Sequence, residues 1–375
     1  MTKPLMAGSM VLGLLLFGGC GGGGEADGDG ATGDASGTAN VVNFYNWSDY
    51  IDEQTIPAVE AATGIDVRYD VYDSNDVLEG KLLAGNTGYD IVVPTGNFFE
   101  VQRKAGLFQP IDRSRLSNYG NLDPDIMAKI EPLDPGNQYA IPYAWGTNGL
   151  GINLTEVRAR IDDPPLDSWD LLFDPQYASR LADCGITLLD AADEVNEIAL
   201  NYIGHPPGSE DPEHLRAAMD MVAKIRPYVR YFHSSQYIDD FANGEVCLVL
   251  GWSGDLYQAI NDAAEGLELD YVIPKEGTIV WFDLLAIPAD APHPDNAHRL
   301  IDFLLQGEVA ARITNAIYFA NGNAASYDLI DPAIRNDPAI YPSAEVMARL
   351  YPNPVKPQDY VRMRNRLWTQ LKTGL

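Results

Sequence analysis

The sequence predicts an α/β fold of two lobes, and three observations predict it. Short apolar or alternating runs are each followed by a helical stretch. The alternation occurs in two blocks, over residues 41–106 and again beyond residue 144. The chain has 375 residues, 46% of them hydrophobic, enough for more than one packed core.

In the first block, VVNFY at 41–45 reads as a buried strand that breaks directly into Asn46, Trp47, Ser48, Asp49 and Tyr50. A helix follows over 53–63, stopped by Gly64. Residues 66–72 alternate, with Val67, Tyr69 and Val71 on one face, and predict a strand. Ser74 is placed to cap a second helix that Gly85 ends. Residues 89–95 form a continuous apolar run of the parallel-sheet type, and the helix FFEVQRKAG comes after it. This β-α-β-α-β-α order argues a parallel sheet with helices on both faces.

The second block opens near YAWGTNGLGINL. It holds a strand at 184–190, the helix AADEVNEIALNYIG, and the helix DPEHLRAAMDMVAKIRP ended by Pro227. A buried strand at 244–252 is backed by the helix GDLYQAINDAAEG. The strand TIVWFDLLAIP and one helix, DNAHRLIDFLLQGEVAARI, lead into a mixed C-terminal region. Two α/β lobes joined by crossing segments fit this order. In open sheets of this kind ligands bind outside the carboxyl ends of strands. The loops at 47–50, 95–97, 190–194 and 252–255 are therefore the candidate site.

The first residues read as a targeting segment. Lys3 gives a positive start, and the apolar run MVLGLLLF at 10–17 is too short to span a bilayer. Gly18, Gly19 and Cys20 resemble the lipobox of bacterial lipoproteins, although Phe17 stands where leucine is usual. That implies removal of residues 1–19 and acylation of Cys20. An ordinary secretory signal cut nearby is the alternative, and both export the protein. Residues 20–40, rich in Gly and Asp, read as a tether. With Cys20 lipidated, Cys184 and Cys247 remain. An even pair in an exported chain suggests a disulfide, and two buried thiols are the other reading.

Twenty-five basic residues face 54 acidic ones, a net charge of −29. Nucleic acid is excluded as a partner, because phosphate binding needs a basic surface. The field favours cationic ligands, and it also suits solubility or a saline habitat.

Enzyme motifs fail one by one. GWSGD resembles a nucleophile elbow, but G-x-S-x-G breaks at Asp255. There is no phosphate-binding G-x-x-x-x-G-K-[ST], no H-E-x-x-H and no strand-born G-x-G-x-x-G. His293 and His298, flanked by prolines, make a poor metal pair. DSNDVLEG lacks the register of a calcium loop. What the loops share is an indole beside a carboxylate: Trp47 with Asp49, Trp252 with Asp255, Trp281 with Asp283. Such a pair suits an organic ammonium, which the ring attracts and the carboxylate hydrogen-bonds. A single pair equally suits core packing plus a helix cap.

The blocks YNWSDYI, DVYDSNDVLEGKLLAG, YDIVVPT, DSWDLL, YFHSSQYIDD, LGWSGD and YVIPKEG run in an order found in a known family. From residue 41 onward the chain resembles the periplasmic putrescine/spermidine-binding proteins of ABC transporters, most closely their putrescine-binding branch. The resemblance implies the type II periplasmic-binding fold, each lobe a mixed, mostly parallel sheet flanked by helices. It places lobe 1 at 41–143 with about 284–325, and lobe 2 at 144–283 with about 326–375. It implies a monomeric receptor that closes over a polyamine and delivers it to the permease and ATPase of an importer. It also implies a Cys184–Cys247 disulfide, no cofactor, no metal, and membrane contact only through the lipid on Cys20. A polyamine sensor showing its closed form to a signalling partner needs the same pocket. A hydrolase on this scaffold lacks a nucleophile and base.

Carried over by position, the implied pocket holds Trp47, Ser48, Asp49 and Tyr50, with Asp49 facing one terminal ammonium. Thr95 stands where serine is common, and Asn97 holds a variable position. Glu194, Ser234, Trp252, Asp255, Trp281 and Asp283 match family ligands. Phe319 replaces a tyrosine, and the sequence leaves open whether Tyr318 compensates. Ser48 and Ala191 are putrescine-like, since the spermidine branch tends to carry an acid at the position of Ala191. Trp281 is spermidine-like, since the putrescine branch has phenylalanine there.

Overall fold

The structure, a computed structural model, describes residues 40–374. The expected signal, the lipidated Cys20 and most of the tether lie outside the described residues. Among the described residues eleven strands are formed: β1 (Val41–Trp47), β2 (Asp66–Tyr72), β3 (Ile91–Val92), β4 (Ala140–Asn153), β5 (Ile186–Leu188), β6 (Val229–Phe232), β7 (Leu248–Trp252), β8 (Leu269–Val272), β9 (Ile279–Ala286), β10 (Ala320–Asn321) and β11 (Tyr351–Pro352). The main path of the sheet runs β2-β1-β3-β9-β4-β7-β5-β6.

The sheet is mixed, and its two ends are parallel for the reason the alternation gave. β1 runs parallel to β2 and β3, and β5 runs parallel to β6 and β7, because a helix carries the chain back between such strands. The middle is antiparallel: β9 pairs with β3 and β4, and β4 pairs with β7 and β8.

β4 is the spine. Its 14 residues are all buried. Residues 140–147 pair with β9, and residues 148–152 pair with β7, so one strand belongs to both half-sheets. The sequence reading saw this stretch only as the opening of a second block. Its glycines lowered the strand signal, because Gly is depleted in ordinary strands and marks close approach instead.

Several local expectations hold. Gly64 ends the helix Thr55–Thr63, and Ser74 accepts the Val77 N–H to cap Asn75–Ala84. Others are corrected. The run at 89–95 pairs as a strand only at Ile91–Val92. The strands expected at 184–190 and 244–252 shrink to β5 and β7. The single helix expected over DNAHRLIDFLLQGEVAARI is two, Pro294–Leu304 and Gly307–Ile317. Gln306 between them is extended, at ψ 134°. A Cβ at Gly307 would lie 2.8 Å from the Ala325 carbonyl oxygen, so the second helix starts where only glycine fits. The apolar period continues across the break and hides it.

The C-terminal helix Gln358–Thr373 packs against the helices Pro212–Ile225 and Ala192–Tyr202. Just ahead of it, the Lys356 ammonium pairs with Glu197 at 2.9 Å. Trp368 Nε1 and Lys372 Nζ both donate to Asp190. Cys184 and Cys247 form a disulfide with Cα atoms 5.6 Å apart, joining the residues just before β5 and β7.

The cross-link spans 63 residues, so chain entropy assigns it about 4 kcal/mol of stability. Urea unfolding of Cys184→Ser/Cys247→Ser should show a loss approaching that size. A loss below about 1 kcal/mol would mean that the bond does not restrict the unfolded chain as that account requires.

Candidate functional site

A cleft lies where the two half-sheets meet, lined by residues from both. β1 contributes Trp47 at its carboxyl end, followed by Ser48 and Tyr50. β7 contributes Trp252 at its end, and Asp255 follows in the first turn of the helix Ser253–Asn261. Thr95 precedes the helix Gly96–Lys104, and Glu194 lies in the first turn of Ala192–Tyr202. Trp281 and Asp283 are not at a strand end as expected. They sit within β9 and face the same cleft because side chains two apart share one face of a strand.

Three carboxylates are buried here: Glu194, Asp255 and Asp283 are 7%, 8% and 4% exposed. Each is held by neutral donors. Asp283 accepts from Thr95 Oγ1 at 2.7 Å and from Tyr50 Oη at 2.9 Å. Glu194 Oε2 accepts from Asn148 Nδ2 at 2.5 Å and Trp252 Nε1 at 2.8 Å. Asp255 Oδ2 accepts from Tyr237 Oη at 2.7 Å. Glu194 Oε1 and Asp255 Oδ1 accept no hydrogen bond from the described residues, so both remain available as acceptors.

Among the described residues no Lys, Arg or His lines the cleft. Burial pushes the Asp255 and Asp283 carboxyls up to about 7, against donors that pull them down. Burial, and then the charge of Asp193, raises Glu194. A cluster of this kind is costly until a cation enters it.

Aromatic rings form the walls. Trp47 and Trp252 meet edge to face across the cleft, with centroids 5.9 Å apart. Phe319 lies 5.2 Å from both Tyr50 and Trp281, also edge to face. Gly254 makes room for it, since a Cβ there would come within 2.4 Å of the Phe319 ring. Tyr318 does not supply the lost hydroxyl to the cleft: its ring stacks on Tyr257, outside the lining.

Of the residues carried over from the resemblance, Trp47, Ser48, Tyr50, Thr95, Glu194, Ser234, Trp252, Asp255, Trp281, Asp283 and Phe319 come together. Two do not. Asp49 is exposed on the turn after β1, in the left-handed conformation at φ 53°, and its side chain leaves the lining. Asn97 points instead to Asp193, donating at 3.3 Å.

The cleft also holds Asp73, Ser235 and Ile238, which the sequence reading missed. Asp73 is the first residue past β2 and accepts from Ser48 Oγ at 2.6 Å. Applying the strand-end rule to β2 would have found it. Ser235 and Ile238 follow β6, a short strand that carries little signal of its own.

The bacterial extracellular solute-binding protein family matches residues 54–342. The putrescine-binding periplasmic protein SpuD of Pseudomonas aeruginosa is 49% identical over 338 residues, covering 89% of this chain and 92% of SpuD. The putrescine-binding periplasmic protein PotF of Escherichia coli is 45% identical, covering 89% of this chain and 92% of PotF. Among solved structures, a protein assigned to spermidine/putrescine ABC transport in Listeria monocytogenes superposes with TM-score 0.82 at 31% identity. That match covers 90% of this chain and all of the Listeria chain, 100%.

The family match and the relatives define a solute-binding protein, not an enzyme, and the cleft between the half-sheets is where such a protein holds its solute. This chain belongs to the bacterial extracellular solute-binding proteins, and its fold is of the type II periplasmic-binding kind.

The raised carboxyls set the sign of a pH effect. Their folded-state pKa values lie above the unfolded ones, so the stability they contribute is full at acid pH and is lost as pH rises through about 7. Asp283→Asn removes one such loss, on the order of a few kcal/mol. In ligand-free protein, urea unfolding should show the variant gaining on wild type between pH 4 and pH 8. The hydrogen bond lost to Asn adds only a constant offset. A difference that stays flat across that range would show that Asp283 is not buried as a charge.

Proposed function

We propose that this chain is an extracytoplasmic polyamine receptor that captures putrescine, and also spermidine, between its lobes and delivers it to an ABC importer. The observation that carries this reading is the cleft itself: buried carboxylates, four indole or phenyl walls, and no basic side chain. A diammonium ligand supplies two cations to the carboxylates and methylenes to the rings, at about 0.5–2 kcal/mol for each cation–ring contact. The names of SpuD and PotF point the same way.

The site residues are the eleven carried-over residues that line the cleft, joined by Asp73, Ser235 and Ile238. Asp49, at the rim, acts on the approach of the ligand through its charge. We assign the lobes by sheet, so the first crossing falls between Thr147 and Asn148, where β4 changes partner, rather than at 143/144. The second falls ahead of β9, which pairs wholly with the first half-sheet. We place the receptor in the periplasm as a monomer, held to a membrane by a lipid on Cys20. A sensor that shows its closed form to a signalling partner uses the same cleft.

Calorimetry on residues 21–375 tests the reading. Putrescine and spermidine should both bind, and neutral sugars should not. Asp255→Asn leaves an ammonium without its counter-charge and should weaken putrescine by about a hundred-fold or more. Wild-type affinity in that variant would remove Asp255 from the site, and a response to sugars alone would end the polyamine reading.

The choice between the two polyamines rests on Ala191 and Trp281. A missing carboxylate at Ala191 leaves the extra ammonium of spermidine unpaired, which costs several kcal/mol if it is desolvated. A larger ring at Trp281 is worth about 1 kcal/mol and favours both ligands. Putrescine should therefore bind at least as tightly as spermidine, and Ala191→Asp should move the balance toward spermidine. Ten-fold tighter spermidine binding by wild type would instead make Trp281 the determinant.

A further inference from the structure

Tyr237 does not line the cleft, and its side chain is fully buried. It opens the helix Tyr237–Ala242, and its ring lies under β7. Gly251 in that strand permits the approach: a Cβ there would sit 3.0 Å from Tyr237 Cε2 and 3.2 Å from Cζ. The hydroxyl then makes two bonds. It donates to Asp255 Oδ2 at 2.7 Å, and it accepts the backbone N–H of Trp252 at 3.3 Å. Among the described residues it is the one hydrogen-bond donor to the Asp255 carboxylate. The Trp252 indole in turn donates to Glu194 at 2.8 Å. One phenol thus fixes a carboxylate directly, and reaches a second through the backbone that carries the stacking ring.

We infer that Tyr237 is a positioning residue for cation binding, orienting Asp255 so that Oδ1 faces the ligand and anchoring the Trp252 backbone from which the stacking ring projects. The inference rests on the polyamine reading for its ligand and on geometry for the rest. The hydroxyl has one proton to give. Because it accepts from Trp252 N–H, that proton is directed at Asp255, and a directed O–H favours the ionised carboxylate. A Lys or Arg in its place would neutralise the carboxylate and compete with the ligand. A neutral phenol orients the charge and leaves it uncompensated. The titratable groups that bear on Asp255 are Tyr237, Tyr50, Asp49 and Asp283, all of them acids, so no base there can take over the role.

The test is calorimetry with putrescine from pH 6.5 to pH 9 on wild type, Tyr237→Phe, Asp255→Asn and the double variant. Tyr237→Phe should weaken binding about ten-fold near pH 7, the worth of one charge-assisted hydrogen bond. The loss should shrink toward pH 9, where Asp255 ionises unaided. In the Asp255→Asn background the same change should cost clearly less, because the partner charge is gone and only the share from the Trp252 anchor remains. A loss equal at every pH and equal in both backgrounds would overturn the inference and leave Tyr237 as packing.

Should Tyr237→Phe fail to fold, 3-fluorotyrosine incorporated at position 237 keeps the ring and sharpens the donor. Its pH profile should then move to lower pH, and an unmoved profile overturns the inference. A ligand-free readout separates this inference from the functional reading. The carboxyl 13C titration of Asp255 should move to higher pH in Tyr237→Phe whether or not putrescine binds, and an unmoved titration overturns the positioning role.

Discussion

The structure depends on burying negative charge without positive charge beside it. Glu194, Asp255 and Asp283 are each nearly enclosed, and each is met by hydroxyl, amide or indole donors. Such donors satisfy part of a carboxylate's demand and orient it, but they leave its net charge intact. Elsewhere the chain buries a charge in the opposite way, with Lys356 set directly on Glu197. That pair is closed to any ligand and ties the C-terminal segment to the helix Ala192–Tyr202. The contrast separates an acid whose cation is built in from acids that, on the proposed reading, receive theirs from the ligand.

The scaffold follows from where those acids must stand. Asp283 lies on β9, and its holders Tyr50 and Thr95 follow β1 and β3 in the first half-sheet. Asp255 and Glu194 follow β7 and β5 in the second. β4 alone joins the two sheets by hydrogen bonds along its length, so it sets the distance between the two sets of carboxylates. Its neighbours crowd it. At Gly146 a Cβ would meet Ser253 Oγ and Trp281 Cζ2, both at 2.8 Å. The strand that unites the halves is thereby kept thin at the point where the cleft walls come nearest to it.

Much of this was legible in the sequence, and the failures have physical causes. Strand ends were readable because apolar runs stop abruptly at polar, aromatic residues, which located Trp47, Thr95, Glu194 and Asp255. Asp283 was readable as part of an indole–carboxylate pair inside the expected strand TIVWFDLLAIP, but not which face of that strand meets the cleft. β9 is buried on both faces and gives no alternation to count. Asp49 read as a ligand because it pairs with Trp47 and stands intact in the first loop of the resemblance, yet a turn in the left-handed conformation directs neighbouring side chains apart. Tyr237 was invisible for another reason. Its partners are Asp255, 18 residues away, and the backbone of Trp252, and only the packing of a helix under β7 brings them together.

Selectivity follows from the same absence of basic groups. A free amino acid brings a carboxylate as well as an ammonium, and no side chain lining this cleft can meet that carboxylate with a positive charge. It would enter beside Asp73, Glu194, Asp255 and Asp283, where like charges oppose one another at several kcal/mol. A sugar offers hydroxyls to the free acceptors but leaves the buried charge uncompensated. A diamine alone brings positive charge at its ends and apolar methylenes between the rings. On the polyamine reading the cleft discriminates by what it repels as much as by what it holds. The net charge of −29 extends the same preference outward, raising the local concentration of polycations before any contact forms.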